Sequence, residues 1–111
     1  MKTINILIPS YNEEEVLPTF IEALSEVTDG LPEYHFEFLF INDGSSDRTQ
    51  ALLEQFQRED SRVRYVELSR NFGKEIAMLA GFDYADGDAV IIMDADLQHP
   101  PQMIIKFLLK S

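Results

Sequence analysis

Apolar runs at residues 4–8, 36–41, 63–68 and 89–93 alternate with stretches at 14–27, 48–58 and 73–85 whose apolar residues recur at helical spacing. Strands separated by helices of this length pair in parallel, because each helix returns the chain to the same end of the sheet. The expected fold is therefore α/β: a Rossmann-like parallel sheet of about four strands with helices on both faces. In the first helix Leu17, Phe20, Ile21, Leu24 and Val27 form one stripe, and Pro18 falls near the first turn, where its missing N–H is harmless. In the second, Leu52, Leu53 and Phe56 point inward after a cap from Ser46 or Asp47. In the third, Phe72, Ile76, Leu79 and Ala80 share a face. Charges at Arg62, Arg64 and Glu67 mark the 63–68 strand as a sheet edge, whereas 89–93 is apolar throughout and reads as central. A last helix is expected from near Pro101.

Right-handed crossovers bring the ends of all four strands to one rim. The segments that follow the strands are PSYNEEE, NDGSSD, SRNFGK and DADLQHPP. Ligands of open α/β sheets bind at such a rim, where the strand order reverses. With the order 3-2-1-4 that point lies between strands one and four, and the two most acidic loops flank it.

The balance of 20 acidic against 9 basic residues, net −11, argues against nucleic acid or an anionic membrane surface as the main partner. Five of the nine basic residues (Arg58, Arg62, Arg64, Arg70, Lys74) still fall within 17 positions, so a local cationic patch remains open. The absence of cysteine excludes disulfides and thiolate chemistry. With 111 residues, 45% of them apolar, one domain with a modest core is expected, without signal peptide or membrane span.

Asp94, Asp96 and Gln98 offer only oxygen ligands, which suit Mg²⁺ or Mn²⁺ and suit zinc poorly. In so acidic a chain, a cation would also explain how an anionic diphosphate could approach. The competing assignment is a solvated turn after a strand, although the Pro100–Pro101 pair would stiffen the backbone next to the carboxylates. Asp43 is either a ligand contact or a turn residue, and Asp47 fits a turn or helix cap better. Tyr11 can stack on a base or pack on its own loop; Arg70 and Lys74 can meet phosphate or only water. His35, which opens a strand, reads as structural, and His99 fits either role.

In combination these loops resemble a glycosyltransferase of family 2 with the GT-A fold. IPSYNEEEVL is similar to that family's first-strand signature, INDGSSDRT to its DDGS-x-D-x-T turn, and GDAVIIMDADLQHPP to its metal-binding loop. SRNFGKEIAMLAGFDYADGD together with DADLQHPP resembles more closely the polyprenyl-phosphate glycosyltransferases, bacterial relatives of dolichol-phosphate mannosyltransferase. The resemblance implies nucleotide contacts from Pro9, Tyr11, Glu13, Asp43 and Lys74, with Asp43 facing uracil. It implies that Asp94 contacts the ribose, while Asp96 and Gln98 ligate Mg²⁺ or Mn²⁺ on the diphosphate of a UDP-sugar. It further implies a polyprenyl phosphate or related cell-envelope acceptor, a role in building the cell envelope, and a place at the inner, cytoplasmic face of the cell membrane for the full-length protein.

One departure is Asn42, where the family often carries Asp; an amide still turns the chain. Length is the larger one. Family members continue into an acceptor-binding half, often followed by transmembrane helices, so residues 1–111 are expected to be the nucleotide-sugar-binding part, inactive alone, with any base or acceptor-site residue beyond Ser111. The final stretch, with Met103, Ile104, Ile105, Phe107, Leu108 and Leu109 around most of its circumference, is expected to mediate self-association through residues 103–109, or to fray there. Three rivals use similar features. A phosphotransfer receiver domain needs an acidic pair where PSYNEEE stands and an acceptor aspartate where SRNFGK stands, and a haloacid-type phosphatase places D-x-D on its first strand. A nucleotide-binding module without catalysis is the third.

Overall fold

The computed structural model describes residues 1–95 and 100–103. In chain order they form β1 (Lys2–Ser10), α1 (Leu17–Asp29), β2 (Tyr34–Asn42), α2 (Thr49–Glu59), β3 (Val63–Glu67), α3 (Lys74–Tyr84) and β4 (Ala89–Ile92). The four strands make one parallel sheet in the order β3-β2-β1-β4, as the sequence predicts. Residue alternation along the strands then decides which helix covers which face. Ile4, Ile6 and Ile8 of β1 and Phe36, Phe38 and Phe40 of β2 point to one side, where α1 and α2 bury Leu17, Phe20, Leu24, Leu53 and Phe56 against them. Leu7, Leu39 and Ile41 point to the other side and meet Ala77 of α3.

Three sequence expectations need correction. The helix expected from residue 14 begins at Leu17; ahead of it Asn12 takes a left-handed φ of 50°, and the N–H groups of Asn12, Glu13 and Glu14 donate to Ser45, Thr49 and Asp47. The third helix does not bury Ile76 and Leu79. It packs through Ala77 and Gly81, and a Cβ at Gly81 would collide with Leu7 and stand 3.1 Å from Ile41 Cγ1, so only a small residue permits this approach. Ile76, Leu79 and Phe82 are left exposed, Leu79 by 65%. Among the described strands β4 is an edge, not central. With α3 lying over β1 and β2, Val90 and Ile92 remain partly exposed on that face. β3 lies at the other edge, as its charges suggest. Residues 104–111, and with them the expected self-associating surface, lie outside the described residues.

At the end of the sheet away from the rim, Arg62 ties the start of β3 to α1. Its guanidinium donates to Asp60 Oδ2 at 2.8 Å and to Asp29 Oδ1 at 3.0 Å, and it lies 4.8 Å from the Phe38 ring centroid. The hydrogen bonds from Arg62 hold the Asp60 carboxyl below its ordinary pKa, against partial burial that acts the other way. A lowered folded-state pKa stabilises the fold above the unfolded value of 3.8 and loses that contribution as pH falls through the folded value. Asp60→Asn should therefore cost about 1 kcal/mol at pH 7, since the pair is partly solvated. In urea melts the gap to wild type should shrink by pH 3; an equal gap at both pH values would refute this assignment.

Candidate functional site

The loops at the strand ends are joined to one another in sequence. The loop after β1 and the segment after β2 are linked through four side chains. Asn12 N–H donates to Ser45 Oγ at 2.9 Å, Glu13 N–H to Thr49 Oγ1 at 2.9 Å, and Glu14 N–H to Asp47 Oδ2 at 3.2 Å. In return Asn12 Oδ1 accepts from Ser46 N–H at 2.8 Å, and Asn12 takes a left-handed φ of 50° to do so. Asp47 also accepts from Thr49 N–H at 2.9 Å in the turn that leads into α2, whose N-cap position is Arg48 and has no side-chain cap, so Asp47 braces both loops. Ser46 does not cap. Burial works against the charge on Asp47, but its bonds from Thr49 and the Glu14 amide outweigh that and hold its pKa below the ordinary value.

Asn42, the departure from the family pattern, is fully buried and uses both ends of its amide. Its Oδ1 accepts from Ser45 N–H at 3.0 Å and its Nδ2 donates to Gln50 Oε1 at 2.8 Å. The second bond is one that a carboxylate could not donate.

The loops after β2 and β3 meet at Asp43, whose carboxylate accepts from Asn71 Nδ2 and from the N–H groups of Phe72 and Gly73. The loop after β3 reaches that after β4 through Lys74 Nζ, 2.6 Å from Asp94 Oδ1. Between these loops lies a cleft of about 420 Å³ lined by Pro9, Ser10, Tyr11, Glu13, Asp43, Asn71, Lys74 and Asp94. All six residues expected to meet a nucleotide thus converge on one cavity at the switch point of the sheet. Ser10 and Asn71 are additions that the sequence did not single out. Asn71 stands beside Lys74 in SRNFGK, but nothing in an isolated Arg-Asn pair tells which side chain turns inward. Arg70 does not line the cleft; its guanidinium sits 4.8 Å over the Phe72 ring. His35, the second residue of β2, lies at the far end of the sheet, with its side chain half exposed and 4.0 Å from Glu37.

Tyr11 is half exposed at the cleft mouth, and the Lys74–Asp94 pair is partly open to solvent. Asp96, Gln98 and His99 lie outside the described residues. Among the described residues no three His, Cys, Asp or Glu side chains cluster as a metal site. Asp94 already holds a cationic ammonium at the cleft, and the residues two and four positions on carry only oxygen donors and an amide. That chemistry fits a hard divalent ion.

The strand order and the rim cleft are those of an open α/β nucleotide-binding sheet, and likeness to solved structures makes the class a glycosyltransferase fold of the GT-A type. Two solved structures share it. A mannosyltransferase from Pyrobaculum calidifontis in complex with GDP-Man and Mn²⁺ superposes with a TM-score of 0.80 at 21% identity, covering 96% of this chain and 31% of that one. TarS (residues 1–349) from S. aureus in complex with UDP-GlcNAc superposes at 0.77 with 21% identity, covering 99% of this chain and 30% of that one.

The sequence matches glycosyl transferase family 2 over residues 5–110, and the chain belongs to that family. The bactoprenol glucosyl transferase of Shigella phage SfV is 44% identical over 101 residues, 91% of this chain and 33% of its own. The chain spans about a third of the length of the curated relatives it matches. Membership in this family displaces the receiver and phosphatase alternatives. No helix among the described residues is long and apolar enough to cross a membrane.

Proposed function

We propose that the protein containing this chain transfers a sugar from a UDP-sugar to a polyprenyl phosphate at the cytoplasmic face of the cell membrane. Residues 1–111 would supply the nucleotide-sugar-binding part, with the acceptor site contributed by other residues. The observation that carries this reading is the convergence of Pro9, Tyr11, Glu13, Asp43, Lys74 and Asp94 on one cleft at the switch point. Its support is the family match, the bactoprenol-linked relative and the nucleotide-sugar complexes of the structural neighbours.

Tyr11 offers a half-exposed ring for the base, and Asp94 a carboxylate for the ribose. Lys74 brings a positive charge to the diphosphate, which would otherwise enter a strongly acidic chain. Asp96 and Gln98 would hold Mg²⁺ or Mn²⁺, which when bound neutralises charge on the departing diphosphate. In the transfer itself an acceptor phosphate oxygen forms a bond to the anomeric carbon as the bond from that carbon to the UDP oxygen breaks. UDP leaves with the electron pair. A phosphate oxygen is ionised near neutral pH, so this step requires no strong base.

Calorimetry with UDP and with GDP, each in Mn²⁺ and in EDTA, tests the proposal. UDP should bind at least tenfold more tightly with Mn²⁺ than with EDTA, and more tightly than GDP. Equal affinity in both buffers would overturn the metal assignment, and absence of UDP binding in either would overturn the donor.

A further inference from the structure

We infer that Asp43 is a positioning residue of this cleft: it latches the loop 70–73 and thereby sets where Lys74 stands. This rests on the nucleotide-binding reading of the site but assigns Asp43 a different task from contact with the base. Asp43 as a whole residue is only 3% exposed although it lines the cleft. Oδ1 accepts from Phe72 N–H at 2.8 Å, and Oδ2 accepts from Gly73 N–H at 3.0 Å and Asn71 Nδ2 at 3.1 Å. Asn71 Nδ2 also lies 3.2 Å from the Asp43 carbonyl oxygen. A carboxylate has about four lone-pair sites, and the loop fills three of them.

The loop is shaped to make these bonds. Gly73 adopts φ 101°, a conformation that disfavours any side chain, and in it presents its N–H to Asp43 while its carbonyl accepts from Ala77 N–H in the first turn of α3. Lys74 is the next residue, the first of α3, so the latch ends one position short of the ammonium that reaches Asp94. Gly44, beside Asp43, lets the two loops touch backbone to backbone. A carboxylate at the amino end of α3 also complements the helix dipole there.

The consequence is energetic coupling between Asp43 and Lys74 that a direct base contact would not produce. Two measurements decide it. Amide hydrogen exchange in the ligand-free chain should show Phe72 and Gly73 protected, and Asp43→Asn, which leaves one acceptor oxygen in place of two, should speed their exchange at least tenfold. In UDP binding, Lys74→Met should cost about tenfold in the wild-type background and less than threefold in the Asp43→Asn background. Unchanged exchange, or a Lys74→Met cost equal in both backgrounds, would overturn the latch. Should Asp43→Asn fail to fold, Asn71→Ala withdraws a donor from the loop side and must loosen the same two amides and lower the Lys74→Met cost. Wild-type chain that binds no UDP would refute the nucleotide reading, while the exchange arm would still decide the latch.

Discussion

Gly44→Ala should destabilise the chain by about 3 kcal/mol or more and abolish nucleotide affinity in whatever remains folded. Gly44 has φ 70°, which costs an alanine about 1 kcal/mol or more by itself. Steric overlap costs more than the dihedral angle does. A Cβ there would stand 2.7 Å from Arg70 Cα and closer still to the Arg70 carbonyl carbon and the Asn71 nitrogen. Backbone atoms cannot rotate out of the way as a side-chain end can, so the whole 70–74 loop must move. That loop carries Asn71 and Lys74 into the cleft and the amide donors to Asp43. Thermal melting should fall by about 10–20 °C for a domain of this size, with loss of UDP binding. A melting point within about 2 °C of wild type would show that the two loops are not in contact.

Phe20→Ala should cost a similar amount, about 3–5 kcal/mol, and leave the affinity of folded molecules alone. Phe20 is fully buried and meets Phe40 edge to face, with ring centroids 6.4 Å apart and planes at 86°. Truncation removes that contact and opens a cavity between α1 and β2 that close-packed neighbours can fill only in part. The cavity lies between layers, whereas the cleft lies at the strand ends. Urea melts and UDP titration of the two variants should therefore diverge. Gly44→Ala loses both stability and binding; Phe20→Ala loses stability alone. A Phe20→Ala variant that costs less than about 1 kcal/mol, or whose folded fraction binds UDP more weakly, would contradict this separation.

The strand–helix alternation, the sheet order and the rim were legible because each is a local or chiral property: apolar period, turn residues and right-handed crossovers act over short stretches of chain. The loops PSYNEEE, NDGSSD, SRNFGK and DADLQHPP identified themselves by residue type and by family resemblance, and Pro9, Tyr11, Glu13, Asp43, Lys74 and Asp94 from them line one cleft. What the sequence could not reveal is which of two apolar sets on α3 faces the sheet. Large residues suggest Ile76 and Leu79, yet Ala77 and Gly81 win, because the approach of the helix to Leu7 and Ile41 admits no larger group. The start of α1 escaped for a related reason. Residues 14–16 can be helical by propensity, but the path of the chain into α1 is set by contacts of residues 12–14 with Ser45, Thr49 and Asp47, more than thirty positions away. Asp43 shows the same limit within the site: its identity was plain in the sequence, while its three bonds to residues 71–73 exist only once β2 and β3 lie side by side. Residue type and spacing determined what chemistry gathers at the rim. Close packing between distant segments decided which atoms are already occupied there, because steric fit and hydrogen-bond partners are properties of the assembled fold.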